Sequence, residues 1–435
     1  MLIRRAMLLD GRSVDIRTGA QITEVASDLE PLPEESVLDA AGGTVIPGLH
    51  DHHVHVHSAA AAADSLRVGV AEVGDRDDLA RALAGAQVGA DGWIRAVGYH
   101  ESVAGPLDRH RLDTLAPPVP VRIQHRSGIL WTLNSAGLAA VGLADHPDGR
   151  LRSADRTWSD ALARRATALD ELSNRLSGHG VTGLTDATPN LDIADIVKLE
   201  EAHRQGGLQQ RVHHLAPGKR ILHDESLDLD ELIDWTVRRH RDNAPVAVHC
   251  VTAAQLVITI AALRAAGTHP YDRIEHAAVV PDDCVAEIAA LGVTVVTQPN
   301  FVAERGDQYL TDVPADEHPQ LWRLASLLDA GIPVALSTDM PFGEGDPWAA
   351  MRAAVRRRTP SGTVLGAAER VDARTALDLF LGTATRPAVP RTVAEGQPGD
   401  LCVLEVTPER LLRDLDGRAV VATVIDGRVV YRRTA

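Results

Sequence analysis

Eight short apolar runs recur along the chain, most of them closing on a polar or titratable residue: TVIPGLHDHHVH, GVTGLTDA, QRVHHLA, GKRILHD, PVAVHC, DRIEHA, VTVVTQ and PVALSTD. Runs of this length, bounded by turn formers, are the pattern of buried strands. The stretches between them are for the most part helix-like and amphipathic, as in Asp160 to Gly178 and Ala254 to Ala266. Strands alternating with helices predict a parallel sheet, because parallel neighbours need a crossover, and a closed ring of eight leaves no exposed edge. The expected class is therefore α/β, a (β/α)8 TIM-type barrel, with an open doubly wound sheet as the runner-up.

The two ends read differently. Residues 1–47 hold short β-rich runs broken by Gly and Pro, and the C-terminal GDLCVLEV and AVVATVIDGRVVYRR read as strands with an Asp-Gly turn. We expect residues 1–47 and 389–435 to form one small composite β domain and residues 48–388 to form the barrel. About 120 residues separate the first run from the second. They are read as an insertion at about 70–158 that shapes a substrate pocket at the barrel mouth.

The net charge of −16 over 435 residues excludes a nucleic-acid or anionic-membrane partner, because no concentration of Lys and Arg is present to hold phosphates. The triplet Arg356, Arg357 and Arg358 reads as a solvated helix face. Three cysteines, Cys250, Cys284 and Cys402, match neither a disulfide framework nor a zinc ribbon, so a reducing compartment is expected. The first residues break into charge and Gly too early for a signal peptide, and no stretch reaches a membrane-spanning length. The reading is a cytoplasmic protein whose partner is a small molecule, with a homodimer allowed.

Asp51-His52-His53-Val54-His55 carries the chemistry of the first run. Residues i and i+2 of a strand point to one side, so His53 and His55 project together while His52 points away. His249 closes PVAVHC, His276 closes DRIEHA and Asp339 closes PVALSTD, all at strand C-termini, where barrel enzymes place their catalytic groups. Imidazole and carboxylate donors without cysteine suit Zn2+, with Mn2+, Fe2+ or Co2+ compatible.

With HRSG, LNSAGLAAVGL, RIEHA, VTQPNF and STDMPFGEGDPW, the chain resembles the amidohydrolase superfamily from end to end. More narrowly, it resembles the branch containing D-aminoacylases and N-substituted formamide deformylases. The resemblance implies a β-sandwich made of both termini and a barrel with metal ligands after strands one, five, six and eight. It also implies that Lys219 in GKRILHD matches a lysine that relatives carboxylate to bridge two metals, so one or two ions are expected. Ile129 stands where many members of the branch carry a His, and the chain is shorter than typical formamide deformylases.

The expected reaction is hydrolysis of a C–N bond (amide, N-acyl or N-formyl) in a small molecule, outside peptide bonds. Metal-activated water attacks, Asp339 shuttles its proton to the leaving nitrogen, and His249 or His276 helps polarise the carbonyl. Cyclic amides, carbamates and lactones fit the same ligands. A deaminase in the resembling branch needs a Glu where this chain has Thr252, and a non-catalytic scaffold has no use for a full ligand set. His125, Arg126, Trp131 and Asn134 in the insertion, with Gln298, Asn300 and Phe301 after the seventh run, are candidate substrate contacts. Packing and helix capping are the alternative use of those positions.

Overall fold

The computed structural model describes residues 1–153, 158, 162, 169–189 and 191–434. Two compact units result: Met1–Val56 with Leu169–Ala435, and His57–Ala168. Among the described residues, no helix is long and apolar enough to cross a membrane.

In the first unit, eight strands run parallel in two ladders. One holds β1 (Leu49–Val54), β2 (Val181–Asp186) and β3 (Arg211–His214); the other holds β4 (Lys219–Ile221), β5 (Ala247–Cys250), β6 (Arg273–His276), β7 (Thr294–Thr297) and β8 (Val334–Leu336). All eight apolar runs of the sequence contribute one of these strands. β1, β2, β6 and β8 are buried along their whole length, as strands covered on both faces must be. Beyond the end of β8 the backbone meets β1: the Asp339 N–H donates to the His53 carbonyl at 3.0 Å and the His55 N–H to the Met340 carbonyl at 2.8 Å.

The step from β3 to β4 departs from the expected strand-plus-helix repeat. Leu215 to Gly218 is all that joins them, and parallel neighbours need a crossover of about a dozen residues. Accordingly β3 ends one ladder and β4 begins the other, with no ladder between them among the described residues. With no helix in this step, Arg211 and His213 on β3 are exposed. Elsewhere helices do intervene, including Leu229–Arg241, Ala253–Ala266 and Asp282–Leu291. The helix read over Asp160 to Gly178 is present as Leu169–Gly178, and its earlier residues lie outside the described residues.

Both ends of the chain build two four-stranded sheets. Ile22–Ala26, Ser13–Thr18, Leu2–Met7 and Val37–Asp39 form one; Arg428–Arg432, Val420–Ile425, Leu401–Leu404 and Val45–Pro47 form the other. Ile3, Ile16 and Leu38 share a core with Val45, Leu401, Val403 and Val424, which is why segments some 400 residues apart fold together. Asp426 and Gly427 turn the last hairpin with φ of 52° and 70°, the left-handed pair that a tight two-residue turn requires.

Within the arginine triplet, Arg356 and Arg358 are exposed as a solvated face requires, but Arg357 is not. Arg357 is fully buried and sits at the left-handed end of helix Pro347–Arg356. Its guanidinium donates to the carbonyls of Leu365, Trp322 and Leu321 at 2.8, 2.7 and 3.0 Å. The charge is spent on carbonyls from distant segments, and burial pulls its pKa down to about 10.

The second unit carries its own five-stranded sheet in the order Arg150–Arg152, Leu130–Leu133, Val121–His125, Ile94–Tyr99 and Leu66–Arg67. Leu79, Leu83, Ile94, Leu112 and Ile123 form one core cluster, and Trp93, Trp131, Leu133 and Leu138 another.

Candidate metal centre

Five titratable side chains at or just beyond the C-terminal ends of the parallel strands come together, and Lys219, at the first position of β4, lies in their electrostatic field. Asp339 Oδ1 lies 3.6 Å from His53 Nε2 and 3.4 Å from His55 Nε2, and Asp339 Oδ2 lies 4.0 Å from His276 Nδ1. The His276 ring is 4.6 Å from the His53 ring and 4.5 Å from the His249 ring. Two donors bonded to one zinc ion at about 2.0–2.1 Å stand about 3.4 Å apart in tetrahedral geometry, so His53, His55 and Asp339 need little adjustment.

Backbone conformation helps to aim them. His276 has φ of 70° and Asp339 φ of 56°, left-handed values that cost a non-glycine residue about 1 kcal/mol or more. Both fall at a strand end, where the chain must leave the extended path for the side chain to reach the centre. Asp51 anchors the same region: it accepts from the Thr338 hydroxyl at 2.5 Å and from the Thr338 N–H at 3.0 Å. Burial pushes the Asp51 carboxyl up to about 7.

The tautomers of three histidines follow from their partners. His53 Nδ1 contacts the Glu275 carboxylate, and His276 Nδ1 lies 2.8 Å from Gln298 Oε1. The Gln298 amide nitrogen donates to the Ser337 hydroxyl at 2.8 Å, which leaves its oxygen to accept from His276. His55 Nδ1 meets the Thr188 hydroxyl at 3.3 Å. In each case Nδ1 is engaged and the Nε2 lone pair is left for a ligand role. Burial, with the Lys219 cation nearby, drives His53, His249 and His276 far below the usual imidazole range, His249 to about 3. The rings are therefore neutral, the state a metal ligand needs.

Asp339 Oδ1 and Lys219 Nζ are buried without a hydrogen-bond partner. Such orphans are costly in an apolar interior, and here both face the electrostatic field of the same cluster. Burial lowers Lys219 to about 8, against the opposing pull of Glu275 and Asp339. Unpartnered buried donor atoms among neutral imidazoles are groups that a divalent ion satisfies. These residues fit a divalent metal.

Glu275 was not singled out in the sequence, although it lies inside RIEHA. It is fully buried, holds His53 through one oxygen and lies 2.7 Å from Arg273 Nε through the other. The signal was available: alternation along β6 sets Arg273 and Glu275 on one face, and a buried opposite-charge pair in an apolar strand asks for a purpose.

The candidate substrate contacts take other positions. Gln298 serves His276, as above. Asn300 donates to the Thr338 carbonyl at 3.1 Å and to Glu304 at 2.9 Å, and Phe301 packs against Trp322. In the second unit, Asn134 caps helix Ser135–Ala140: its oxygen accepts from Gly137 and Val121, and its amide donates to the Val119 carbonyl. Trp131 is buried between the guanidinium groups of Arg95 and Arg122. Asn134 and Trp131 thus do structural work that their sequence context did not distinguish from binding. His125 meets Glu101, and the Arg126 N–H bonds the Tyr99 carbonyl. A cavity of about 760 Å³, lined by His50, Arg211, His213, Arg391 and Asp400, contains neither the five converging residues nor Lys219.

Comparison with known proteins gives matches of nearly full length. A model of an amidohydrolase family matches residues 36–431. N-substituted formamide deformylase of Arthrobacter pascens is 24% identical over 512 aligned positions, covering 96% of this chain and 94% of the relative. That alignment is longer than the chain, so the relative carries segments this one lacks. Solved structures of uncharacterized metal-dependent hydrolases from Pyrococcus furiosus and Pyrococcus horikoshii OT3 share the fold. Each is 18% identical, with TM-scores of 0.70 and 0.71, covering 94% of this chain and 99% and 97% of theirs.

Proposed function

The chain belongs to the amidohydrolase family, and from that premise we propose that it is a metal-dependent hydrolase cleaving a C–N bond in a small molecule. The bond is an amide, N-acyl or N-formyl linkage outside peptides. The observation that carries the proposal is the meeting of His53, His55, His249, His276 and Asp339, from four different strands, around unpartnered buried donors. The similarity to a formamide deformylase supports the choice of bond. We further propose a barrel of the (β/α)8 type for the eight strands, lacking the helix between β3 and β4.

His53, His55, His249, His276 and Asp339 would hold the ion, with Lys219 as a carboxylated bridge if a second ion binds. Zinc fits donors of nitrogen and oxygen without thiolate, and Mn2+, Fe2+ and Co2+ fit the same set. A bound divalent ion supplies Lewis acidity and brings the pKa of water towards about 7. Asp339 accepts the proton of the attacking water on its unpartnered oxygen and delivers it to the leaving nitrogen, which is too basic to depart as an anion. Glu275 and Gln298 keep the proton of His53 and His276 on Nδ1 throughout. Thr252, where a deaminase of the resembling branch needs an acid, caps helix Ala253–Ala266 and donates to Asp224, which speaks for hydrolysis.

The test is a panel of N-acyl amino acids, N-formyl amines, cyclic amides and lactones with zinc-loaded protein. Turnover of acyclic amides, lost on chelation and restored by Zn2+, is expected. Turnover of lactones or cyclic amides alone overturns the bond assignment, and no turnover by metal-replete protein overturns the enzyme.

A further inference from the structure

A second group of potential ligands lies within the His57–Ala168 unit. His100 and Glu101 are consecutive, at the start of the short helix Glu101–Ala104, and His125 ends the strand Val121–His125. Strand pairing sets Tyr99 opposite His125, so the sheet itself fixes the spacing between these two segments. One ligand atom from each of His100, Glu101 and His125 lies within 4.8 Å of the other two. His125 Nε2 is 3.0 Å from Glu101 Oε2, and His100 Nε2 is 4.0 Å from the same oxygen. The second distance is too long for a hydrogen bond but close to the spacing of two donors on one ion.

Both imidazoles are supported in the same way. Each stands two residues before a serine, in His100-Glu101-Ser102 and His125-Arg126-Ser127. The serine hydroxyl lies 2.8 Å from His100 Nδ1 and 2.7 Å from His125 Nδ1. A longer contact of 3.2 Å runs from each serine N–H to the same Nδ1. Each Nδ1 thus accepts a backbone N–H, and an ion at Nε2 requires the proton to move to Nδ1, where the serine hydroxyl can accept it at the cost of that backbone bond. That is the outer support seen in histidine metal sites, where the far ring nitrogen is held by an acceptor. Without an ion, the other tautomer lets His125 Nε2–H donate to Glu101.

We propose that His100, Glu101 and His125 form a second metal site that binds one divalent first-row transition ion of the Zn2+ or Co2+ class. Two imidazoles and one carboxylate leave coordination positions for water, and the three side chains are only partly buried, so an ion reaches them from solvent. The ion would pin the start of helix Glu101–Ala104 to the end of strand Val121–His125.

Metal content of the full-length protein after equilibrium dialysis against Co2+ tests this. The wild type is expected to hold one equivalent more than His100→Ala and Glu101→Gln, whatever number the strand-end centre holds in all three. Equal content in the three proteins overturns the proposal. Anomalous diffraction from a Co2+-soaked wild-type crystal asks the same question without a substitution. A peak within bonding distance of the three atoms is expected, and its absence overturns the site.

Discussion

Glu275→Gln tests the link between the buried charge pair and the candidate metal centre by changing one atom. Glu275 Oε2 accepts from both His53 Nδ1 and Arg273 Nη2, the latter at 3.2 Å, while Oε1 stands 2.7 Å from Arg273 Nε as an ion pair. Glutamine offers one acceptor and one donor. If its oxygen takes the place of Oε2, the bonds to His53 and Arg273 Nη2 remain, but its amide group faces Arg273 Nε and a buried guanidinium loses its counter-charge. If it turns the other way, its N–H faces His53 Nδ1 and pushes the imidazole proton onto Nε2. That is the atom aimed at Asp339 from 3.6 Å, so the lone pair needed for an ion is lost. Removing a support of this kind typically weakens metal binding 10–100-fold, about 1.4–2.7 kcal/mol. Competition with a chromophoric chelator measures zinc affinity, and urea denaturation of the metal-free variant measures the fold. A 10–100-fold weaker affinity is expected, with Glu275→Asp, which keeps the charge, nearer the wild type. Wild-type affinity in a folded Glu275→Gln protein would refute the reasoning, because it would show that neither the Arg273 charge nor the His53 tautomer reaches the ligands.

Asp339→Asn should keep zinc bound while turnover falls by about 10²–10⁴-fold, since the amide retains an oxygen ligand but carries no proton; zinc content and kcat on the same preparation check it. Native mass spectrometry should find the mass of one CO2 on Lys219, absent in Lys219→Ala, if the lysine is a bridging carbamate, and unmodified lysine in a one-zinc protein removes that model. The metal-free protein should lose stability in acid. His53, His249 and His276 are neutral when folded and take up protons only far below their ordinary 6.5, at about 3 for His249, whereas the unfolded chain binds them from 6.5 downward. Stability is thus fully present above 6.5 and falls by about 1.4 kcal/mol per pH unit per histidine as pH drops towards 3, a trend that urea midpoints between pH 7 and 5 would show. Arg357→Ala should destabilise the fold by about 3 kcal/mol or more, read as a lower urea midpoint, because three buried carbonyls lose a charged donor.

The parallel strands and their terminal histidines were legible because both are local patterns: an apolar run of strand length, then a polar residue where the strand stops. The partners of buried polar groups were not, since periodicity says which face a residue takes and nothing about what waits there. Arg357 reads as solvent-facing until Leu321, Trp322 and Leu365 supply their carbonyls, and Asn134 reads as a pocket residue until Val119, Val121 and Gly137 surround it. The four residues between β3 and β4 were readable as too short for a crossover, yet the count of eight runs masked that.

The strand-end centre shows how far alternation can be pushed before backbone geometry must intervene. In an extended strand, consecutive side chains go to opposite faces, so Glu275 and His276 cannot both turn towards His53. They do meet it: Glu275 contacts its Nδ1, and the His276 ring lies 4.6 Å from its ring. The φ of 70° at His276 resolves the conflict by ending the strand in a left-handed turn, and Asp339 repeats the device at the end of β8 with φ of 56°. Adjacent residues thereby serve one site in two capacities, the first as support for a proposed ligand and the second as a proposed ligand itself. A left-handed conformation at a β-strand end is unfavourable for histidine and aspartate, and it persists here because the surrounding strands over-determine it. The strain therefore marks the same residues that the strand-end pattern selected, and it does so through geometry that no spacing in the sequence encodes.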